Sequence, residues 1–272
     1  MKRAQTSLVL LLLLAVSSPV CAWGPNGHRI VGRIAANHLT DEAAHAVECL
    51  IGPEGLDQAS TWADEIRSDP NWQPPLKNPS PWHFISIDDQ ETLETTARDP
   101  KGDVLEAIER FSAVLRDPQA DRQAKQEALR FLVHFVGDVH QPLHVGRRAD
   151  RGGNTIEVTL FNEKTNLHAV WDSGLIDSEK LSFSEFAAFI DHPTLKELQD
   201  WQAAPPAEWV RESKAVRDRV YKLPADHKLS FQYVFDNIPL VKKRLLQAGV
   251  RLAGLLNSIF AQPGPSIPDR GQ

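Results

Sequence analysis

Apolar residues recur every three to four positions along most of the chain, which is the spacing that gathers them on one face of an α-helix. Asp103 and Asp121 stand where N-caps are expected, because a carboxylate can accept hydrogen bonds from the first backbone N–H groups of a helix. Pro142 is expected to end a helix, since proline cannot continue the backbone hydrogen bonding. Helices are predicted over Arg29–His38, Glu42–Leu50, Ser60–Arg67, Val104–Leu115, Arg122–Val139, Glu208–Tyr221 and Phe231–Phe260.

The segment after Gly152-Gly153 has a different pattern. Residues 155–161 alternate between polar and apolar side chains, which predicts a strand within a small β-hairpin. Residues 71–81 contain four prolines and are predicted to form a loop, and the tail 263–272 is predicted to be disordered. No repeat or shift in composition divides the remainder. The prediction is therefore one mainly helical, all-α domain over residues 23–262.

The first 22 residues have the pattern of an export signal. Lys2 and Arg3 precede an apolar run at residues 8–16, and Val20-Cys21-Ala22 supplies small residues for cleavage before Trp23. The run is too short to span a bilayer comfortably, so no transmembrane segment is expected. A lipid anchor at Cys21 is a weaker alternative, because the residues before it fit a lipoprotein signal poorly. The sequence thus predicts an exported protein, periplasmic or secreted.

The chain is acidic and poor in cysteine. Its net charge of −6 would become −8 without the two cations of residues 1–22, so a phosphate-containing substrate would need a local positive site to attract it. Cys49 is the only cysteine after residue 22, which excludes an internal disulfide in the cleaved chain. Asn78-Pro79-Ser80 is blocked as a glycosylation site by its proline. Both features suit a bacterial exported protein.

Histidine and aspartate recur at ligand spacing in the middle of the chain. His134 and Asp138 are four residues apart, so both side chains lie on one face of a helix, and His168 and Asp172 repeat the spacing. His144 follows closely enough to supply a further ligand. Imidazole and carboxylate together are expected at catalytic zinc, which keeps one position open for water. Further candidate ligands upstream are His28, Asp64 and His83.

The remaining histidines lack such a pattern. His140 lies two residues from Asp138 and therefore points to a different side of the helix. It is expected at most to contact a residue that binds the metal, and not to bind the metal itself. The histidines without a partner at ligand spacing, which are expected to be surface or core residues, are His38, His45, His192 and His227.

These residues stand in motifs that resemble the S1/P1 nuclease family, in that family's order. The motifs are Trp23-Gly-Pro-Asn-Gly-His28, Trp62-Ala-Asp64, Trp82-His83-Phe84, His134-Phe-Val-Gly-Asp-Val-His-Gln-Pro-Leu-His144, Asp150-x-Gly-Gly-Asn154 and Asn166-Leu-His-x-Val-Trp-Asp172. The C-terminal third matches only in being helical. The resemblance implies a phospholipase C/P1 nuclease-like fold.

The resemblance also implies a site for three Zn²⁺ ions. The first ion would be bound by Asp64, His83, His134 and one oxygen of Asp138. The second would be bound by His144, His168 and Asp172. The third would be bound by the α-amino nitrogen and carbonyl oxygen of Trp23, by His28 and by the other oxygen of Asp138. An α-amino group has a pKa of about 8, so zinc can displace its proton, but only if cleavage occurs directly before Trp23.

The implied reaction is hydrolysis of single-stranded DNA and RNA to 5′-phosphates by a zinc-dependent endonuclease, together with 3′-nucleotidase activity. Zinc supplies this chemistry by acidifying water and stabilising charge on phosphorus. Single-strand preference in the family comes from stacking an unpaired base beside the zinc cluster. Neither a stable protein partner nor an oligomer is implied, and a monomer is expected.

Two further roles are less specific. An aspartate soon after His83 is implied to orient the attacking water; Ser86 stands where many members have aspartate, so Asp88 is the candidate catalytic residue, with Asp89 second and an ordinary acidic turn as the alternative. Asn154 is the candidate substrate-binding residue, with a turn asparagine as the alternative. The residues after Asp172 lack the asparagine with which fungal members hold the base, so their base preference does not carry over.

Two other functions fit part of the pattern. A zinc-dependent phospholipase C has a similar fold, but it typically uses His-x-x-x-Glu where this chain has His168 and Asp172. A non-catalytic zinc-binding protein of the cell envelope would need closed metal sites, whereas shared histidine and aspartate ligands favour open ones.

Overall fold

The computed structural model describes residues 23–69 and 80–261. The predicted signal peptide, most of the proline-rich loop and the predicted disordered tail lie outside these described residues. The helices are α1 (Pro25–Asn37), α2 (Asp41–Ile51), α3 (Gly55–Ala59), α4 (Trp62–Glu65), α5 (Val104–Arg116), α6 (Arg122–His140), α7 (Leu167–Ala169), α8 (Leu175–Ser178), α9 (Phe183–Ile190), α10 (Leu195–Ala203), α11 (Pro206–Ala215), α12 (Arg217–Val220) and α13 (Phe231–Phe260). The prediction of a mainly helical fold is confirmed.

Both predicted N-caps are present. The Asp103 carboxylate accepts hydrogen bonds from the backbone N–H groups of Leu105 and Glu106 at the start of α5, at 3.0 and 3.2 Å. The Asp121 carboxylate accepts one from Ala124 at the start of α6, at 2.8 Å. Helix α6 ends at His140, two residues before Pro142, as the sequence predicts.

Two predicted helices are shorter than their periodicity indicates. The helix predicted over Ser60–Arg67 is only the single turn α4, followed by a 3₁₀ turn at Ile66–Ser68. The helix predicted over Glu208–Tyr221 breaks at Val216 into α11 and α12. After the break, the buried guanidinium of Arg217 donates hydrogen bonds to the carbonyl oxygens of Ile87 and Val145. These bonds tie α12 to the loops beside the candidate ligands.

Helix α6 lies at the centre of the described fold. It packs against α5 on one side and α13 on the other, and α1 packs against both α13 and α6. From Leu132 to His140 every residue of α6 is buried. The rings of Phe111, Phe131 and Phe135 stack between α5 and α6, with centroids 4.7 and 5.4 Å apart. This packing holds the C-terminal half of α6, which carries His134 and Asp138, away from water.

The predicted hairpin forms one part of a three-stranded sheet. Strand β1 (Glu157–Leu160) pairs antiparallel with β2 (Glu163–Asn166), and Phe161 and Asn162 make the turn at φ values of 48° and 75°. Positive φ at both central residues is typical of the two-residue turns that match strand twist. Strand β3 (Lys228–Leu229) pairs parallel with β1 and was not predicted, because two residues carry no recognisable alternation. Strand β2 leads directly into α7, which carries His168.

Within residues 23–69 and 80–261, no helix combines the length and apolar character needed to cross a membrane.

The two N-caps give a matched test of burial. Asp103 is buried and also pairs with Arg98 at 2.5 and 2.6 Å, whereas Asp121 is exposed. Asp103→Ala is expected to lower the free energy of unfolding by about 2–3 kcal/mol, because the cap and the ion pair are lost together. Asp121→Ala is expected to cost about 1 kcal/mol. Chemical denaturation measures the free energy of unfolding of both variants, and equal losses would contradict the larger contribution expected from the buried Asp103.

Candidate metal centre

Helix α6 contributes a histidine and an aspartate that are both fully buried. Nδ1 of His134 lies 2.7 Å from the carbonyl oxygen of Ser60, which leaves Nε2 facing Asp138 Oδ2 at 3.3 Å. The ring of His28 stacks on that of His134 with centroids 3.8 Å apart. Gly137 permits this approach, because a Cβ there would lie 2.9 Å from Nδ1 of His28. The i, i+4 spacing predicted from the sequence therefore places both groups on one site.

Two further residues join this group from elsewhere in the chain. Nδ1 of His83 lies 3.0 Å from Asp138 Oδ2 and 3.1 Å from Nε2 of His134. Oδ1 of Asp64 lies 4.0 Å from the same His83 nitrogen and 3.9 Å from the same His134 nitrogen. Arg67, one turn after Asp64, donates to that carboxylate at 2.8 Å and partly compensates its charge.

A second group combines His144, in the 3₁₀ turn after α6, with His168 of α7 and Asp172 in the helical turn that follows α7. Nε2 of His144 and Nε2 of His168 are 3.2 Å apart, and Asp172 Oδ2 lies 3.4 Å from the latter nitrogen. The outer nitrogens are held by backbone: Nδ1 of His144 lies 2.6 Å from the carbonyl oxygen of His83, and Nδ1 of His168 lies 2.6 Å from that of Gly152. Such bonds fix the tautomer and aim the other nitrogen at a common point.

The ligand atoms fall into three groups, within each of which all atoms lie within 4.8 Å of one another. The groups are His28, Asp64 and His134; His83, His134 and Asp138; and His144, His168 and Asp172. Asp138 also faces His28, whose Nε2 lies 3.4 Å from Oδ1. The structure thus brings together all eight side chains that the sequence marked as candidate ligands.

Trp23 is buried beside the same groups. The backbone N–H of Gly24, the next residue, donates to the carbonyl oxygen of Asp172 at 2.7 Å. A Cβ on Gly137 would lie 3.8 Å from Cδ1 of the Trp23 indole. The residue before Trp23 lies outside the described part of the chain.

Burial and neighbouring charge act in opposite directions on the imidazoles. Burial lowers the pKa of His28 well below its usual value, and burial also lowers the pKa of His83. Burial opposes protonation of His134 as well, but the carboxylates of Asp138 and Asp64 outweigh it and raise its pKa to about 9. A cation near these carboxylates would therefore compete with a proton on His134.

The two buried carboxylates of the site differ. Burial disfavours ionisation of Asp138, yet its histidine neighbours, His134 first, hold its pKa well below the usual range. Burial raises the pKa of Asp172 well above the usual range, and Gln141 offsets this only in part by donating to Asp172 Oδ1 at 2.7 Å. The neighbouring carboxylates of Asp138 and Asp64 act in the same direction as burial and raise the pKa of Asp172 further.

The donor set fits divalent zinc. Both ring nitrogens of His28, Nε2 of His83 and Oδ1 of Asp138 are buried without a hydrogen-bond partner among the described residues. Buried polar atoms are rarely left in that state unless an ion or water satisfies them. Two nitrogen ligands of a tetrahedral zinc lie about 3.3 Å apart, since each is about 2.0–2.1 Å from the ion. The measured nitrogen–nitrogen distances of 3.1 and 3.2 Å are close to that value.

A cavity of about 240 Å³ adjoins the second group at His168. Its wall combines an aromatic ring, a hydroxyl, two arginines and backbone, in the residues Phe84, Ser86, Leu143, Gly146, Arg148, Arg151, Gly152 and His168. A space of this size beside the candidate ligands could admit part of a substrate.

The Gly-Gly-Asn motif supports His168. Gly152 and Gly153 have φ values of 63° and 82°, which favour glycine, and a Cβ on Gly152 would lie 2.4 Å from the carbonyl oxygen of Leu143. This turn aims the Gly152 carbonyl at the His168 ring. The Asn154 side chain donates to the carbonyl oxygen of Arg151 at 2.8 Å, so its observed contact is within the turn rather than with the cavity.

The candidate water-orienting aspartates are both engaged in ion pairs. Asp88 accepts hydrogen bonds from the backbone N–H and the guanidinium of Arg148, at 2.9 and 2.8 Å. Asp89 pairs with Arg147 at 2.9 Å and with Arg217 at 2.7 Å. Neither aspartate is among the described residues that line the cavity, whereas Ser86 is. Asp88 is linked to the cavity wall by its two hydrogen bonds with Arg148.

The other histidines lie outside the three groups of described residues. His140 is buried with Nδ1 2.8 Å from the carbonyl oxygen of Val136, and Arg251 donates to its Nε2 at 3.0 Å. His38 pairs with Asp191 instead, at 2.7 Å. The expectation that His140 points away from the ligand face of α6 is confirmed.

Several supporting residues had no role predicted from the sequence. Arg67 and Gln141 each bind a candidate ligand, and Arg148 and Arg151 line the cavity. Gln141 lies inside the His134–His144 motif, and Arg67 follows Asp64 by three residues on the same helical face, so their positions next to candidate ligands were a usable signal. The two arginines were not identifiable, because only the folded loop brings them to His168.

Comparison with known proteins agrees with this geometry. The S1/P1 Nuclease family profile matches residues 23–261. Endonuclease 2 and Endonuclease 3 of Arabidopsis thaliana are 31% and 33% identical to the chain, each over 93% of it, and the alignments cover 96% and 94% of those proteins. Nuclease S1 of Aspergillus oryzae is 26% identical over 92% of the chain and 96% of its own length. The chain therefore belongs to the S1/P1 nuclease family and is a hydrolase of the phosphodiesterase type.

Proposed function

We propose that the chain is an exported, zinc-dependent endonuclease that cleaves single-stranded DNA and RNA to 5′-phosphates and also removes the phosphate of 3′-nucleotides. The observation that carries the proposal is the cluster of five histidines and three aspartates, all buried except the half-buried Asp64, beside an open cavity. Membership of the S1/P1 nuclease family indicates the type of reaction, which is hydrolysis of a phosphodiester. The bacterial periplasm or the medium is the proposed location, and a monomer the proposed state.

The eight side chains are proposed to bind three zinc ions, together with the amine and carbonyl of Trp23. Asp138 would serve two ions, since its Oδ2 faces His83 and His134 while its Oδ1 faces His28. When bound, zinc supplies Lewis acidity: it acidifies water and stabilises negative charge on phosphate oxygens. In an acidic chain this cluster would also provide the local positive charge that attracts a phosphodiester.

The chain's own groups would position the substrate. The Phe84 ring in the cavity wall offers a surface on which an unpaired base can stack, which a base inside a duplex cannot use. Asp88 is proposed to orient the attacking water, and its ion pair with Arg148 also holds that arginine against the cavity wall. Asn154 is proposed to contribute to substrate binding indirectly, because its hydrogen bond to the Arg151 carbonyl oxygen holds the turn that carries Arg151.

The two competing functions are less well supported. The relatives' names are those of nucleases, and Asp172 stands where a phospholipase C typically has glutamate. A purely zinc-binding protein has no use for a cavity beside His168.

Substrate choice tests the proposed function directly. Purified protein beginning at Trp23 and loaded with zinc is expected to degrade single-stranded DNA and RNA much faster than duplex DNA, and to leave phosphatidylcholine intact. Product ends are read by labelling, with 5′-phosphate expected. Release of the phosphocholine headgroup without nuclease activity would instead establish the phospholipase, and zinc retention without any hydrolysis would establish the binding protein.

The amine of Trp23 can be tested by one added residue. A chain that begins at Ala22 is expected to fold but to retain no more than two zinc ions and to hydrolyse single-stranded DNA poorly, because the ligand amine has become an amide. Metal analysis, N-terminal sequencing and activity are compared with the chain that begins at Trp23. Three zinc ions and full activity in the longer chain would show that the amine is dispensable.

The shared carboxylate can be tested by an isosteric change. Asp138→Asn is expected to lose at least one zinc ion and to lower nuclease activity about a hundredfold or more, since an amide cannot supply the negative charge for two ions. Asp191→Asn is the matched control, because it alters the His38–Asp191 pair at the C-terminal end of α1, whereas the candidate ligand His28 lies near the N-terminal end. Full zinc content and activity in Asp138→Asn would contradict the assignment.

A further inference from the structure

Arg151 differs from the other arginine in the cavity wall. The guanidinium of Arg148 is committed to Asp88, Glu91, Thr96 and the carbonyl oxygen of Ala97. Arg151 is exposed, and its guanidinium has neither a hydrogen bond nor an ion pair among the described residues. It is therefore the cavity-lining cation whose donors are uncommitted.

The backbone fixes Arg151 relative to the candidate ligands. Its φ of 55° lies in the left-handed region and is followed by the two glycines of the turn. The Gly152 N–H donates to the carbonyl oxygen of Arg147 at 3.0 Å, and the Gly152 carbonyl oxygen lies 2.6 Å from Nδ1 of His168. Arg151 thus stands one residue from the backbone group that holds His168.

The guanidinium of Arg151 has no carboxylate partner in an ion pair among the described residues. The nearest acidic residue in sequence, Asp150, accepts hydrogen bonds from the Gly153 N–H and the Tyr221 hydroxyl rather than from Arg151. In a chain with a net charge of −6, an unpaired cation beside the candidate metal centre is suited to a polyanionic substrate.

We propose that Arg151 binds a phosphate of the nucleic-acid strand next to the scissile phosphate, an inference that rests on the proposed nuclease function. A guanidinium matches a phosphate with two parallel hydrogen bonds. Its exposed position on the wall favours the backbone of the strand over a base seated within the cavity. Arg151 is a substrate-positioning residue, and it contributes affinity for a strand rather than for an isolated diester.

The test compares two substrates of the zinc-loaded protein. Bis(p-nitrophenyl) phosphate has a scissile diester but no neighbouring phosphate, whereas an oligothymidylate of about twelve nucleotides has both. Arg151→Ala is expected to lower kcat/KM for the oligonucleotide about tenfold, mainly by raising KM. For the small diester, kcat/KM is expected to fall by about twofold or less. The logarithmic salt dependence of oligonucleotide binding should become shallower by about 0.7, the value for one lost phosphate contact on a single strand.

Two variants control for charge and folding. Arg151→Lys keeps the cation and should restore most of the salt dependence. Arg116→Ala removes an exposed arginine at the end of α5, next to the start of α6 and about 18 Å of helix away from His134, the first candidate ligand on α6, and should behave like the unaltered protein.

Three results would overturn the proposal. They are an equal loss on both substrates, an unchanged salt dependence in Arg151→Ala, and a loss that varies with the base when other homopolymers replace oligothymidylate. Binding is also measured by fluorescence anisotropy with a hydrolysis-resistant phosphorodithioate strand. If the unaltered protein hydrolyses neither substrate, the proposed function fails, while the anisotropy slopes still support or overturn the Arg151 contact.

Discussion

The carboxylate of Asp138 is buried completely, and each of its oxygens faces a different set of imidazoles. A carboxylate at that depth is costly unless positive charge surrounds it. In the protein alone, His134 meets part of this need by taking a proton, with its pKa raised to about 9 by the adjacent carboxylates against the effect of burial. Bound cations would supply further positive charge, and Asp138 Oδ1 and both ring nitrogens of His28 have no hydrogen-bond partner among the described residues.

The fold supports this site from its core. The C-terminal half of α6 is enclosed by α5, α13 and α1, so the side chains that it presents are held by packing rather than by a surface loop. The carbonyl oxygens of Ser60, His83 and Gly152 each orient one imidazole through its outer nitrogen. Candidate ligands from distant parts of the chain are therefore oriented by the fold itself, which would reduce the entropy lost on binding a metal.

Local chemistry made much of this predictable from the sequence. The i, i+4 pairs and the caps Asp103 and Asp121 depend only on neighbouring residues, so the long helices and the two histidine–aspartate pairs were identifiable from local pattern. His28, Asp64 and His83 lack such spacing, and their place as ligands came from the resemblance to the family. Helices α9 and α10 begin with capping boxes, Ser182 with Glu185 and Thr194 with Glu197, which are local signals that the sequence prediction missed. The short helices α3, α7 and α8 and the two-residue strand β3 instead depend on tertiary packing and leave little periodicity. The same limit applies to Asp88, whose ion pair with Arg148 joins segments 60 residues apart. The positions of Arg148 and Arg151 likewise follow from the folded turn.

We propose that Asp138 joins two metal positions within one three-zinc cluster. Anomalous diffraction at the zinc absorption edge, from crystals of the protein that begins at Trp23, tests it most directly. Three zinc peaks are expected, with the two oxygens of Asp138 on different ions and His144, His168 and Asp172 on the remaining one. Fewer than three peaks, or peaks that Asp138 does not join, would contradict it.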